Sequence, residues 1–185
     1  MVRSRSIVTA VMMAGVTLLA ASLPDALGEE ATVRAQSAAR GQGFFFEIGQ
    51  FRALFMGALH GVLYVESGPD ALDGAAIICP VTYVLEGVQP TLAAEGYCTI
   101  TKGQDHKIYA RWTCSGAALM GCRGRLTLTG GTGRFAGITG ESDMVVRSSF
   151  VEFADSKAAG QSGAGVVQET GGALLILPAL RYRIP

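Results

Sequence analysis

The sequence predicts an all-β domain, built as a barrel or a sandwich, behind an export signal. Three observations carry the fold class. Apolar and polar residues alternate with a period of two, turn-forming Gly, Pro and Asp recur at short intervals, and residues 43–185 contain no long apolar stripe at helical spacing. Alternation sets one face of a sheet against a core, and many short strands with frequent turns close into a barrel or stack as a sandwich. No fixed-period repeat is visible, which argues against solenoids and propellers.

The first thirty residues are set apart from that fold. Arg3 and Arg5 form a short basic region, Ile7 to Ala21 is an apolar run without a charge, and Ala26 to Gly28 offers small residues before two glutamates. That order is a secretory signal peptide, assigned to residues 1–28. The run is shorter than the roughly 20 residues that a bilayer span needs, which weighs against an uncleaved anchor. No membrane span is expected after cleavage. A serine separates the two arginines, so the twin-arginine pair is missing and general export is expected. Cleavage near Ala35 to Ala39 stays open as an alternative. The expected location is periplasmic or secreted.

Residues 29–42, "EEATVRAQSAARGQ", are small and polar without marked periodicity and are read as a flexible lead-in; the barrel domain is assigned to residues 43–185. In "FRALFMGALHGVLYVE" the odd positions from Phe51 to Val65 are all apolar or glycine, and the even ones include Arg52, His60, Tyr64 and Glu66. This is a strand with one buried face, and Gly57 and Gly61 are read as a bend or bulge. "SGPDALDG" is a turn, since Gly, Pro and Asp each favour reversal for their own reasons. In "AAIICPVTYVLEG", Pro80 predicts an edge strand or a bulge because it lacks an N–H. "EGYCTITKGQDHKIYARWTC" is a hairpin turning at "TKGQDHK", with Cys98, Ile100, Ile108, Ala110, Trp112 and Cys114 on one face. "CRGRLTLT" and "ITGESDMVVRSSFVEF" are further strands, and "ADSKAAGQSGAG" is a loop. One or two closing strands come last, split by Gly171-Gly172.

Charge excludes some partners. Fifteen Lys and Arg balance fifteen Asp and Glu, and no block of like charges occurs. Such a chain sets up no broad field to attract nucleic acid or an anionic membrane surface, and neither is expected as a partner.

The four cysteines, Cys79, Cys98, Cys114 and Cys122, all lie beyond the leader. An even number in an exported chain points to two disulfides. Zinc is the rival reading, but no C-x-x-C knuckle occurs and neither His60 nor His106 sits at ligand spacing. No metal is expected. Cys114 and Cys122 bracket the loop-like "SGAALMG", so the first choice is Cys114–Cys122 with Cys79–Cys98. A Cys98–Cys114 bridge stays open, because both fall on one face of adjacent strands.

"TLTGGTGRFAGITG", residues 127–140, carries the one motif that suggests a cofactor. Gly131, Gly133 and Ala136 spell G-x-G-x-x-A, the glycine pattern of a dinucleotide-binding turn. That chemistry needs a parallel strand before the glycines and a helix after them, with an acidic residue about 20 positions on. The segment after these glycines instead alternates, and it contains Gly140 where a first helical turn would form. A hairpin accounts for more residues: Gly130, Gly131 and Gly133 allow positive φ, and Phe135 folds back as an apolar plug. Antiparallel register then sets Arg125 opposite Asp143 and Thr127 opposite Glu141, pairs worth a few tenths to about 1 kcal/mol each. No cofactor is expected.

"GYCTIT", "KIYARWTC", "GCRGRLTLTGGTGRFAGITGES" and "ILPALRYRIP" together resemble a group of exported bacterial proteins of unknown function. These carry a barrel of the calycin-like kind found in allene oxide cyclase and the plant dirigent proteins. "GGTGRFAG" is similar to the glycine hairpin of that superfamily, and the likeness spans roughly residues 50–185. The resemblance implies a small, mostly antiparallel barrel of about eight strands, sometimes oligomeric, with an apolar interior open at one end. Characterised relatives steer or catalyse cyclisation or coupling of hydrophobic small molecules without a cofactor. Their active-site positions do not map onto residues here.

Candidate chemistry is sparse. Glu141 and Asp143, two apart on one side of a strand, form a polar patch with Arg125 and Arg123 on the neighbouring strand. Turned into a barrel, such a patch could raise a carboxyl pKa and supply a general acid. Turned outward, it is a set of surface ion pairs worth little. Leu126, Leu128, Met144 and Val146 occupy the opposite face and read as core, which favours the outward version. His60 and His106 are the only histidines, each without an evident catalytic partner, and no G-x-S-x-G elbow occurs. Trp112, Tyr83, Tyr97 and Tyr109 line a cavity or pack in the core. The functional expectation is a non-catalytic module binding an apolar small molecule or a partner protein, with homo-oligomers left open. The alternative is a cofactor-independent isomerase or cyclase of the allene oxide cyclase/dirigent type.

Overall fold

The computed structural model describes residues 28–89, 91–117, 120–148 and 166–185. The signal peptide assigned to residues 1–28 lies outside them except for Gly28, as do the loop at 154–165 and the expected strand end at 149–153. Eight strands run in chain order: β1 (Glu29–Gly49), β2 (Arg52–Ser67), β3 (Ala75–Glu86), β4 (Thr91–Lys102), β5 (His106–Ala117), β6 (Gly121–Gly131), β7 (Thr139–Ser148) and β8 (Val166–Ile184). Each is hydrogen-bonded to the next, and β8 returns to β1, so the sheet is a closed antiparallel barrel. Closure leaves no edge strand.

The alternation anticipated from the sequence sorts side chains as a pleated sheet requires. In β3, Ala75, Ile77, Cys79, Val81, Tyr83 and Leu85 point inward and are buried. Cys98 and Ile100 on β4 and Ile108, Ala110, Trp112 and Cys114 on β5 share the interior, as the hairpin reading places them. The 103–105 turn joins these two strands.

Four expectations are corrected. Residues 29–42 are no lead-in; they form most of β1, paired to β2 on one side and β8 on the other. Their inward residues Val33, Ala35 and Ser37 are small and fully buried. The segment is held by two backbone ladders, which side-chain periodicity does not report. Pro80 lies on neither an edge nor a bulge. The β3–β4 pairing lapses between Ile78↔Thr99 and Val81↔Gly96, where Pro80 offers no N–H, and the Cys79–Cys98 bridge crosses at that lapse.

Gly57 and Gly61 mark no bulge, since the β1–β2 register shifts fall between Arg34 and Ala35 and between Glu47 and Gly49. Gly57 instead makes room for a ring. A Cβ on Gly57, or on Gly43 directly across from it, would sit 2.5 Å from Cζ of Phe55. Gly171-Gly172 does not split the last strand, because β8 runs through it opposite Gly41 and Arg40.

The interior is packed from both ends. At one end Leu72, on the short 3-10 turn Asp70–Leu72, and Phe135, on the turn Gly133–Phe135, are 0% and 1% exposed and plug the barrel. At the other, Phe45, Phe55 and Tyr83 form an aromatic trio with ring centroids 4.6–5.6 Å apart. Fully burying one such ring contributes about 1.5–3 kcal/mol. Both disulfides lie within this core. Cys79–Cys98 joins residues directly opposite on β3 and β4 (Cα–Cα 4.1 Å), and Cys114–Cys122 joins diagonal neighbours on β5 and β6 (Cα–Cα 5.5 Å). Cys98 stands opposite Ala110, four residues along the ladder from Cys114. That offset of about 13 Å at 3.3 Å per residue is too far for the alternative bridge.

Candidate functional site

The glycine hairpin is a joint between antiparallel strands. It leaves β6, makes a single 3-10 turn and enters β7, with Gly133 at φ 59° and Gly137 at φ 76°. Of the three glycines read as allowing positive φ, Gly130 and Gly133 adopt it and Gly131 does not. The turn is stitched to its surroundings. Thr132 Oγ1 donates to the Asp105 carbonyl (2.9 Å) and accepts from the Lys107 N–H (3.1 Å). The Arg134 N–H donates to His106 Nδ1 (3.3 Å), while its guanidinium donates to the Ala71 carbonyl (2.6 Å) and covers the Phe135 ring at 4.7 Å. These bonds occupy the polar groups of the loop in holding the plug. His106, the first residue of β5, thus has a structural partner.

The patch proposed from β6 and β7 has the anticipated register, Arg125↔Asp143 and Thr127↔Glu141. It faces outward. Arg125 Nη1 lies 3.2 Å from Glu141 Oε2 and Nη2 lies 3.8 Å from Asp143 Oδ1, and more than half of each of the three side chains is exposed. Leu126, Leu128, Met144 and Val146 point into the core. The desolvated arrangement that a general acid requires is therefore absent at Glu141 and Asp143. Next to them, β1, β7 and β8 bound a shallow groove of about 490 Å³, lined by Glu30, Thr32, Thr139, Glu141, Arg181 and Arg183 among others, with mixed charge. Arg183 there faces Glu30 at 3.8 Å.

Of the four aromatics singled out, Trp112 and Tyr83 pack in the core, and Tyr97 and Tyr109 stand outside. Tyr182 is the buried titratable side chain that the sequence does not flag. Its hydroxyl has no hydrogen-bond partner among the described residues, and burial pushes its pKa above the ordinary 10, reinforced by Glu29 and opposed by Arg134. Among the described residues no three His, Cys, Asp or Glu side chains converge as a metal site would require.

The exterior is divided in a way that the strand register defines. On β5, β6 and β7 the outward positions include Lys107, Arg111, Arg123, Arg125, Asp143 and Glu141. On β1, β2 and β3 the rows are instead Phe44–Met56–Thr82, Gln42–Ala58–Pro80, Arg40–His60–Ile78 and Ala38–Val62–Ala76. Phe44, Met56, Tyr64 and Ile78 are 45–53% exposed. Arg40 and His60 are the only titratable side chains in those four rows, and they stand directly opposite one another. A sequence signal exists: Leu54, Met56, Ala58 and Val62 make even positions of β2 apolar too, so this strand is apolar on both faces. The inward alternation masks it.

No family model matches the chain, and neither a curated protein nor a solved structure matches it.

Proposed function

We propose that the protein is an exported, non-catalytic binding module that engages a partner protein through the apolar outer face of β1–β3. The observation that carries this reading is the exposed Phe44, Met56, Tyr64 and Ile78 on one side of a barrel whose opposite side is charged. Contiguous exposed apolar surface on a globular domain marks an interaction site. The side chains packed through the interior, with Glu141 and Asp143 outside it, support binding over the cyclase alternative. Export is supported by the leader sequence and by two disulfides of the kind that persist in oxidising compartments.

The test places a photo-crosslinking benzoylphenylalanine at Met56 and, as a control on the charged side, at Thr113, in the native host. Protein adducts from position 56 and not from 113 are expected. Equal adducts from both positions, or none from 56, overturn the reading. A small apolar ligand retained in native mass spectra, with no adduct, moves function to the interior. Mass determination of the periplasmic or secreted form checks removal of residues 1–28.

A further inference from the structure

The same face carries, midway along its β1 side, a cation without an ion-pair partner among the described residues, and this deepens the reading above, on which it rests. Arg40 is exposed on β1, between Ala38 and Gln42 along its own strand, opposite His60 on β2 and Gly172 on β8. Among the described residues no carboxylate lies within ion-pair distance of it. Two other arginines near this face are paired: Arg34 Nε lies 2.6 Å from Glu66 Oε2, and Arg52 Nε lies 2.9 Å from Glu86 Oε1. These pairs stand toward the two ends of β2, so among the described residues charge is balanced at both ends of the face and unbalanced midway along β1.

We infer that the partner is a protein whose contact surface is apolar around one acidic side chain, an aspartate or glutamate that pairs with Arg40. Covering Arg40 removes its hydration, and an uncompensated buried charge is strongly unfavourable. A partner that buries Phe44, Met56 and Ile78 must therefore bring an acceptor to the same place, and a carboxylate matches the planar guanidinium with two parallel hydrogen bonds. His60, directly across the ladder, offers a second polar contact. Three strands at about 4.8 Å spacing and ten residues at about 3.3 Å give a face on the order of 450 Å². Leu174 and Ile176 on β8 and Tyr97 on β4 extend its flanks toward the roughly 800 Å² that each side of a standard interface buries. The closed barrel has no edge to which a peptide strand could add, so recognition is through side chains.

Two other occupants fit less well. A lipid surface is bound by several surplus cations at the rim, and here the rim arginines are neutralised by Glu66 and Glu86. A second copy would present the same four rows, which contain no carboxylate to meet Arg40.

The experiment measures the Met56 adduct in cells carrying Arg40→Glu, Arg40→Lys or no further change. Arg40→Glu is expected to lower adduct yield, and affinity for the purified adduct partner, at least about tenfold. Arg40→Lys, which keeps the charge and loses the paired hydrogen bonds, is expected to fall between Arg40→Glu and the unchanged chain. Reversing the partner's matching carboxylate to lysine restores binding to the Arg40→Glu chain. An adduct that Arg40→Glu leaves unchanged overturns the role of Arg40 and leaves the face standing; absence of any adduct overturns both. An adduct of twice the chain mass, or co-flotation with phosphatidylglycerol vesicles, assigns the face to self-association or to lipid and overturns the inference. Circular dichroism of Arg40→Glu verifies that the barrel is intact.

Discussion

Gly43 lies directly opposite Gly57 across the β1–β2 ladder, and the two together form the hollow that the Phe55 ring occupies. Neither glycine is there for a turn. Gly57→Ala is expected to press on both the Phe55 ring and the Gln42 carbonyl across the ladder and to destabilise the barrel by about 1–3 kcal/mol, read as a lower urea midpoint. Gly57→Ala combined with Phe55→Leu should recover part of the loss. Additive effects of the two substitutions would mean that ring and glycine do not communicate.

The disulfides close short loops. Chain-entropy arguments assign the 19-residue separation of Cys79–Cys98 on the order of 3 kcal/mol and the 8-residue separation of Cys114–Cys122 on the order of 2.5 kcal/mol. Replacing either pair by alanine should lower stability by comparable amounts. Non-reducing peptide mapping should yield these two linked pairs and no Cys98–Cys114 fragment.

Glu141→Gln and Asp143→Asn should change stability by less than about 1 kcal/mol, because their pairing with Arg125 is solvated. Crosslinking from Met56 should be unaffected. A loss of partner binding in either variant would relocate the site to the charged side of the barrel.

Tyr182 makes a prediction with a definite sign. Its folded pKa is raised by burial, so the folded state holds the phenolic proton more tightly than the unfolded chain. Stability is then level below the unfolded value of about 10 and falls as pH rises above it. Tyr182→Phe should reduce that alkaline loss. Near neutral pH it should cost little or stabilise slightly, since the hydroxyl it removes is buried without a hydrogen-bond partner among the described residues. Denaturation midpoints between pH 7 and pH 11 give the test; an unchanged alkaline slope would refute it.

Much of the fold is legible in the sequence because local chemistry and tertiary pairing agree. Phe135 reads as a plug from its place among glycines, and the structure buries it to 1% exposure. The charges of Arg125, Glu141 and Asp143 favour the β6–β7 register that the structure adopts. Pro80 misleads because a missing N–H reads as a statement about the edge of a sheet. The fold accommodates it inside a closed barrel by interrupting one ladder and bridging the gap covalently. Tyr182 escapes notice because nothing in "ALRYRIP" distinguishes a buried tyrosine from an exposed one.

The β class, the turns, the first-choice cysteine pairing and the inward side of most strands are legible in the chain, since each depends on residues near one another along it. That residues 29–42 are a strand, and that β8 closes on β1, emerges with the folded barrel, because backbone ladders between distant segments hold them there. The barrel also decides that Phe44, Met56 and Ile78 share one exterior face around Arg40. A two-residue period tells each side chain in from out, but the register across strands chooses its neighbours, and a surface is made of neighbours.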